Sequence, residues 1–171
     1  MKDFQFLVET LSRNKTIFQT LLSNRSIEEV RWKRQSEQWC LLEVACHLLD
    51  EERYDFRDRI GHIFTQAETD PPTFNPLNWV KDHSYLEQNY DEIVSNFLRE
   101  RSKSIDWLND NSNQNWALSC NYPDFEQRTA KFYLVNWVAH DYLHIKQIYR
   151  LNYDYLEDFS STPLAYAGVW T

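Results

Sequence analysis

The chain has 171 residues, of which 42% are hydrophobic and 16% aromatic, and its formal net charge is −8. This length suits one domain with a single core, and the acidic balance provides no general attraction to nucleic acid. Only two glycines are present, which excludes the glycine-rich phosphate loops of nucleotide-binding proteins and argues against all-β folds with many tight turns.

Four long helices are predicted, and the first two occupy the N-terminal part of the chain. Apolar residues at spacings of three, four and seven predict a helix from about Phe4 to Asn24. The segment Ser26–Glu29 matches a capping box, which predicts one short helical turn in the connection. The basic cluster Arg31–Arg34 is predicted to be a solvated turn. A second helix is predicted from just after Ser36 to about Phe64.

The proline-rich segment 70–76 is the clearest break between helices, because proline stops a helix and biases the preceding residue to extended backbone. Asn75 followed by Pro76 is typical of a helix cap and a first-turn proline. This pair predicts a third helix that continues to about Asn109. The polar stretch 109–121 is predicted to be a loop.

The last helix is predicted from about Asp124 to Asn152, after an extended Tyr122–Pro123 pair. The C-terminal tail is short and irregular, and its Tyr166 and Trp170 are expected to pack back on the helices. Four amphipathic helices with short or medium connections favour an all-α four-helix bundle. We expect a single domain that spans residues 1–171.

The cysteines and the N-terminus bear on the cell compartment. Cys40, Cys46 and Cys120 are odd in number and form no C-x-x-C pair, so they are predicted to be reduced, buried residues. The N-terminal residues contain no apolar signal segment, and no apolar run is long enough to span a membrane. A cytoplasmic protein with no membrane or nucleic-acid partner is expected.

Three histidines in the predicted helices can form a metal site. His140 and His144 are four residues apart, so they share one face of their helix. Two neutral histidines that are hydrogen-bonded inside a core would have the same spacing, and the pair by itself leaves this alternative open. His47 on the second helix supplies a third imidazole. Together the three would form the arrangement of three protein ligands and one open position that is typical of catalytic zinc.

Carboxylates flank His47 on its helix. Glu43 and Glu51 lie one turn to either side, which is costly beside a half-buried histidine unless the site uses them. One hypothesis is that Glu43 or Glu51 accepts a hydrogen bond from a metal ligand or acts as a general base on water. The alternative is that both lie on a solvated edge together with Asp50 and Glu52.

Three further residues are predicted to lie at the margin of the site or away from it. Asp141 is a candidate to hydrogen-bond a metal-binding histidine, although it points about 100° away from its neighbour His140. His62 follows His47 by fifteen residues, more than ~20 Å along a continuous helix, so it is not expected to share the metal. His83 is predicted to lie at the surface.

Two motifs resemble the DinB-like superfamily. The first, W-x₇-H-L-x-D-x-E, covers residues 39–52, and the second, H-D-x-x-H-x-x-Q-I, covers residues 140–148. Their order, their separation and the proline-rich link between them are similar to that family over nearly the whole chain. The resemblance implies a four-helix bundle, often dimeric, in which His47, His140 and His144 hold a divalent metal such as Ni²⁺ or Zn²⁺.

The resemblance also implies a choice of reactions, because characterised relatives include mycothiol-dependent maleylpyruvate isomerases and bacillithiol transferases. We therefore expect a metal-dependent enzyme that acts on a small-molecule substrate. It would be either a transferase or isomerase that uses a low-molecular-weight thiol, or a hydrolase in which Glu43 or Glu51 takes a proton. The chain lacks H-E-x-x-H, so proteolysis of the zincin type is not supported.

Two non-enzymatic hypotheses stand beside this one. In the first, the protein is a dimeric helical module that binds metal or another protein, and its histidines are structural. In the second, an aromatic-rich interior lined by Trp79, Trp116 and Trp137 binds a small apolar ligand.

Overall fold

The structure is a computed structural model that describes residues 2–66, Thr69, 76–120 and 128–170. Nearly all of its regular structure is helical. The elements are α1 (Lys2–Leu22), α2 (Ile27–Arg31), α3 (Leu41–Tyr54), α4 (Phe56–Gln66), α5 (Pro76–Asp82), a 3-10 turn (Tyr85–Glu87), α6 (Tyr90–Asp110), β1 (Ser119–Cys120), β2 (Arg128–Thr129), α7 (Ala130–Ser160) and a second 3-10 turn (Ala165–Ala167).

The long segments α1, α3 with α4, α6 and α7 form a four-helix bundle. Helix α1 packs against both α6 and α7, α3 packs mainly against α6, and α4 packs against α7. The two short strands pair in antiparallel fashion, with Ser119 opposite Thr129 and Cys120 opposite Arg128. The prediction of an all-α four-helix bundle is confirmed.

The second predicted helix is divided into two. Helix α3 begins at Leu41 rather than just after Ser36, because the Glu43 carboxylate accepts a hydrogen bond from the Cys40 backbone N–H (2.8 Å) and caps the helix there. At Asp55 the backbone leaves the helical conformation (φ −119°, ψ −96°), and α4 follows directly. This break allows α3 and α4 to pack against different partners.

The third predicted helix is also divided. Helix α5 ends early, and Ser84 adopts a left-handed conformation (φ 46°) before the 3-10 turn Tyr85–Glu87. Helix α6 then begins at Tyr90, where the Asn89 side chain accepts a hydrogen bond from the Glu92 backbone N–H (3.1 Å). Asparagine is among the best residues for this capping position, which gives α6 a beginning of its own.

Helix α7 extends further than predicted. It ends at Ser160 rather than near Asn152, and its side-chain cap is Thr129. Neither proline nor glycine occurs between Ala130 and Ser160, so nothing in that stretch interrupts the helix. Its start also differs from the prediction, because Arg128–Thr129 form the strand β2 and the helix begins at Ala130 rather than at about Asp124. The proline-rich break up to Asn75 and the extended Tyr122–Pro123 pair lie outside the described residues.

The interior contains two hydrophobic clusters. Phe18 and Phe97 belong to the cluster nearer α2 and α3, and Trp137 belongs to the cluster that includes the start of α1. The guanidinium of Arg101 lies against both clusters, with its carbon 5.9 Å, 5.5 Å and 5.8 Å from the ring centres of Phe18, Phe97 and Trp137. A charged side chain therefore occupies the boundary between them.

A buried ionic network around Arg101 connects all four segments of the bundle. Its guanidinium donates to both carboxylate oxygens of Asp141 on α7 and to Glu52 on α3, each at 2.7 Å. Asn14 on α1 donates to Asp141 (3.0 Å), and Ser104 on α6 donates to Glu52 (2.8 Å). None of the five residues is more than 2% exposed. Such a network tolerates burial because every charge has a hydrogen-bonded partner.

The structure confirms the predictions for Trp170 and for the buried cysteines, but it contradicts the prediction for Tyr166. Trp170 packs on Tyr153 with ring centres 5.3 Å apart, as predicted, whereas Tyr166 is fully exposed and that prediction is wrong. All three cysteines are buried and free. Among the described residues, no helix is both long enough and apolar enough to cross a membrane.

Among the described residues, the tryptophans of the apolar-ligand hypothesis belong to two different clusters and not to the lining of one interior. Trp79 belongs to the first hydrophobic cluster, whereas Trp116 and Trp137 belong to the second. The arrangement that this hypothesis requires is therefore not formed.

Candidate metal centre

Three imidazoles meet between α3 and α7. Nε2 of His140 lies 3.3 Å from Nε2 of His47 and 3.0 Å from Nε2 of His144, and the ligand atoms of all three lie within 4.8 Å of one another. Two imidazole nitrogens on one tetrahedral Zn²⁺ are about 3.3 Å apart, because each Zn–N bond is ~2.0–2.1 Å long. The structure therefore brings the three predicted ligands together at the spacing of a single metal ion.

Aromatic side chains pack around these histidines. The ring centre of Trp39 is 4.9 Å from that of His47, and the ring centre of Phe56 is 5.3 Å from that of His140. Trp39 directly precedes the cap of α3, and Phe56 is the first residue of α4. The sequence did not predict that α3 begins at Leu41 or that α4 begins at Phe56. These two boundaries place Trp39 and Phe56 against the histidines.

Burial keeps the histidines neutral. It lowers the pKa of His47 to about 3 and that of His140 to about 2, and the neighbouring His144 contributes to both shifts. Burial also lowers the pKa of His144. Neutral imidazole is the form that binds metal, so protons do not compete for these nitrogens at neutral pH.

Gln147 orients one of the imidazoles. Its side-chain oxygen lies 2.7 Å from Nδ1 of His144. When Nδ1 donates to this oxygen, Nε2 carries the lone pair that points at the other two histidines. Nδ1 of His47 is buried without a hydrogen-bond partner among the described residues, so packing holds that ring. Three convergent neutral imidazoles fit a divalent ion such as Zn²⁺ or Ni²⁺.

The carboxylates near His47 are all buried, so the solvated-edge alternative is wrong. Three of the four are bound to donors elsewhere. These pairs are Glu43 with Cys40 and Lys33, Asp50 with His83 and Tyr85, and Glu52 with Arg101 and Ser104. The fourth, Glu51, has Oε1 3.7 Å from Nε2 of His47. Glu51 is thus the carboxyl group that the fold places beside the imidazoles.

Glu43, the other predicted catalytic carboxylate, has a structural role. It caps α3 and pairs with Lys33 at 2.7 Å, and it has no hydrogen bond to His47, His140 or His144 in the described part of the chain. Lys33 belongs to the basic cluster that was expected to be a solvated turn. Arg31 at the end of α2 and Arg34 in the connection between α2 and α3 are exposed, as expected, and Lys33 and Arg34 also pair with acids on α3 and α7.

The surroundings of Glu51 favour its protonated form in the metal-free protein. Burial raises its pKa well above the usual range, and the negative charge of Asp55 and a hydrogen bond to that side chain raise it further. Asp55 in turn pairs with Arg59. Glu51, Asp55 and Arg59 therefore form a series of acid and base groups that begins beside the histidines and continues into α4.

Asp141, His83 and His62 contact residues other than the three metal-binding histidines. Asp141 binds Arg101 and Asn14 and has no hydrogen bond to a histidine within the described part of the chain, so the predicted hydrogen bond to a metal-binding histidine is not formed. His83 is half-buried rather than simply at the surface, with Nδ1 2.6 Å from the buried carboxylate of Asp50. His62 contacts Thr69, away from the three histidines, as expected.

Arg101 is the residue of this region that the sequence analysis missed. It lies at a core position of α6, one turn after the buried Phe97 and two turns before the buried Leu108. An arginine in such an apolar stripe signals a buried acidic partner, because a lone buried charge is too costly.

The sequence matches the family model of the DinB superfamily over residues 10–148, a range that includes all three histidines. No curated protein matches the chain significantly. Among solved structures, it resembles YfiT from Bacillus subtilis, described as a probable metal-dependent hydrolase with an unusual four-helix bundle topology. The TM-score is 0.77 at 14% identity, over 88% of this chain and 86% of YfiT. This likeness shows the shared fold, and the family match over most of the chain shows that the protein belongs to the DinB superfamily.

Proposed function

We propose that the protein is a divalent-metal-dependent enzyme whose metal ligands are His47, His140 and His144. The observation that carries this proposal is the convergence of three neutral Nε2 atoms, 3.0 Å and 3.3 Å apart, beside the carboxyl group of Glu51. A Zn²⁺ or Ni²⁺ ion held there would supply Lewis acidity to a water molecule, a thiol or a substrate carbonyl.

Hydrolysis of a small molecule is the reaction that the arrangement supports best. Glu51 is placed to accept the proton that water loses as it attacks the substrate. Positive charge at the centre favours the ionised form of Glu51, and Asp55 offers a hydrogen-bonded partner to which the proton can move. Gln147 holds the orientation of His144 during this step. The description of YfiT as a probable metal-dependent hydrolase agrees with this assignment.

Thiol-dependent transfer or isomerisation is the second candidate. A groove of about 850 Å³ is lined by Trp39, which packs on His47, and by Gln147, which contacts His144. Its volume is within the size range of ligand pockets and has room for a thiol together with a second substrate. In this case the thiol loses its proton to Glu51, and the sulfur attacks the substrate. The two candidates share the metal ligands and differ in the nucleophile.

Elemental analysis of protein purified without an affinity tag tests the metal centre. We expect about one Zn²⁺ or Ni²⁺ per chain in the wild type and a loss of metal in the His47→Ala and His140→Ala variants. His62→Ala is the matched control, because this histidine lies outside the site. A wild type that lacks metal and binds neither added ion would overturn the proposal.

Two measurements separate the functional candidates. For a hydrolase, an ester, lactone or amide from a substrate panel is cleaved by the wild type, and Glu51→Gln retains metal while it loses most of this activity. For a thiol-dependent enzyme, an added low-molecular-weight thiol changes the optical spectrum of the cobalt-substituted protein. A non-catalytic protein shows neither response, and His144→Ala then alters only metal content or stability.

The outer face of α7 supports a further proposal, that the protein forms a homodimer. Val135, Tyr142, Tyr149 and Leu156 recur every seven residues, and each is between 42% and 52% exposed. A long apolar stripe on the surface of one helix is typical of a helix–helix contact between subunits.

A further inference from the structure

The groove beside the metal centre runs along α7. Trp39 lines it and packs on His47, and Gln147 lines it and contacts His144. Trp170 from the C-terminal segment lines the groove as well. A molecule in the groove would therefore contact two indole rings and the residues that pack on His47 and His144.

The groove is positively charged although the chain as a whole is acidic. Its charged lining consists of Arg34, Lys146 and Arg150 against Glu37 and Asp154. The Asp154 carboxylate is buried and already neutralised, because Arg150 contacts both of its oxygens at 2.9 Å and Arg34 contacts one. Arg34 also pairs with Glu157, which lies just outside the groove, at 3.5 Å. Lys146 has no ion pair in the part of the chain that the structure describes. The acids Asp154 and Glu157 balance the two arginines, so the positive charge that remains at the groove wall is that of Lys146.

The two arginines are held in place with donors to spare. Asp154 fixes both guanidinium groups, and Glu157 also contacts Arg34, yet the side chains of Arg34 and Arg150 remain 42% and 43% exposed. A guanidinium has five N–H donors and binds a carboxylate or phosphate through two parallel hydrogen bonds. A pair of fixed guanidinium groups beside an unpaired lysine is thus suited to an anion.

The spacing along α7 relates this charge to the metal centre. Arg150 follows His144 by six residues, which is about 9 Å along the helix axis. Lys146 lies between them. A ligand whose anionic group rests on Arg150 reaches the histidines only if it extends past Lys146 and Gln147 toward Trp39, which packs on His47.

We propose that this groove binds the anionic end of the substrate, and that the substrate is a small organic carboxylate or phosphate ester whose reacting bond lies about 9 Å from its charge. An apolar or aromatic middle part would contact the two indole rings. The inference rests on the proposed metal-dependent function for the reaction, whereas the anion site itself exists in the metal-free protein.

Titrations of the metal-free protein followed by NMR test this inference. The probes are 3-phenylpropionate, phenyl phosphate and the neutral 3-phenylpropionamide. We expect at least one of the two anions to shift the indole N–H signals of Trp39 and Trp170 and to bind about tenfold more tightly than the amide. The anion that binds more tightly identifies the preferred group.

Variants locate the anion site. Lys146→Gln and Arg150→Gln should each weaken binding of the anion severalfold and leave binding of the amide unchanged. Lys146→Gln removes no internal ion pair, so it remains informative if Arg150→Gln disturbs Asp154. Lys131→Gln is the matched control, since Lys131 lies about 20 Å from His144 at the other end of α7 and pairs with Asp3.

The inference is overturned if neither anion shifts the indole signals, if the amide binds as tightly as the anions, or if neither groove variant weakens anion binding. Metal content is measured separately on the same samples. Anion binding in a protein that cannot bind metal would support the groove and refute the proposed function. Metal binding without anion binding would support the proposed metal centre and refute the anion site in the groove.

Discussion

The side-chain oxygen of Gln147 lies 2.7 Å from Nδ1 of His144, the ring nitrogen that faces away from the other two histidines. Because this contact selects the tautomer whose Nε2 can bind metal, we expect Gln147→Leu to weaken metal affinity by roughly 10–100-fold. The Gln147→Glu variant keeps a side-chain oxygen that can accept from Nδ1, so its metal affinity should stay close to that of the wild type. Competition with a chromogenic chelator measures the effect, and an unchanged affinity in Gln147→Leu would show that the contact is incidental.

Arg101 is expected to be critical for stability. Its replacement by Met leaves the carboxylates of Glu52 and Asp141 buried without their cation, which should lower the free energy of unfolding by about 3–5 kcal/mol. Urea denaturation measures this loss. Arg99→Met, on the exposed side of the same helix, should change stability by no more than about 0.5 kcal/mol. Equal effects of the two substitutions would contradict the role of the network.

The buried histidines should make the metal-free protein sensitive to acid. The pKa of His47 is lowered to about 3 and that of His140 to about 2, whereas an unfolded histidine titrates near ~6.5. Below this pH the unfolded state binds protons that the folded state cannot, so stability falls as the pH drops from ~6.5 toward 3. Each histidine contributes a slope of up to about 1.4 kcal/mol per pH unit.

A His140→Gln variant provides the measurement for this prediction. Its unfolding free energy should fall less steeply with pH than that of the wild type between pH 6.5 and pH 5. The difference in slope should approach about 1.4 kcal/mol per pH unit, which corresponds to one bound proton. Identical slopes for the two proteins would mean that His140 is protonated in the folded state. His62→Gln is the control for the loss of a histidine outside the site.

Glu51 should make the metal-free protein less stable as the pH rises, which is the opposite of the effect of the histidines. Burial and the charge of Asp55 raise its pKa in the folded, metal-free protein, so above an unfolded pKa of ~4.3 the folded state holds a proton that the unfolded state has released. Stability is then lost as the pH rises toward the folded pKa. Glu51→Gln removes this loss, and its stability relative to the wild type should increase between pH 6 and pH 8.5. A relative stability that does not change with pH would contradict the protonated state.

The stripe on α7 predicts a dimer that charge can disrupt. Size-exclusion chromatography with light scattering should show two chains per particle for the wild type and one for a Tyr142→Glu, Tyr149→Glu double variant, because two carboxylates would lie in an apolar contact. Ile27→Glu is the matched control, since Ile27 is exposed on α2. A monomeric wild type would overturn the proposed homodimer.

The helical fold and the candidate metal ligands could be predicted from the sequence. The periodicity of apolar residues reflects the geometry of the helix itself, and the spacing of four between His140 and His144 places both on one face regardless of what packs against it. The helix breaks at Asp55 and Ser84 could not be predicted in this way. Neither position has glycine or proline, and the surrounding packing determines the conformation there.

The sequence by itself determined the three histidines, the helices that present them and the family to which the chain belongs. The tertiary structure alone decided between Glu43 and Glu51, which lie at equivalent distances from His47 along α3. Lys33 and the start of the helix bind Glu43, whereas Glu51 is left beside the imidazoles. Local spacing is set by the backbone, but the partners of a buried charge come from distant parts of the chain, and only packing brings them together.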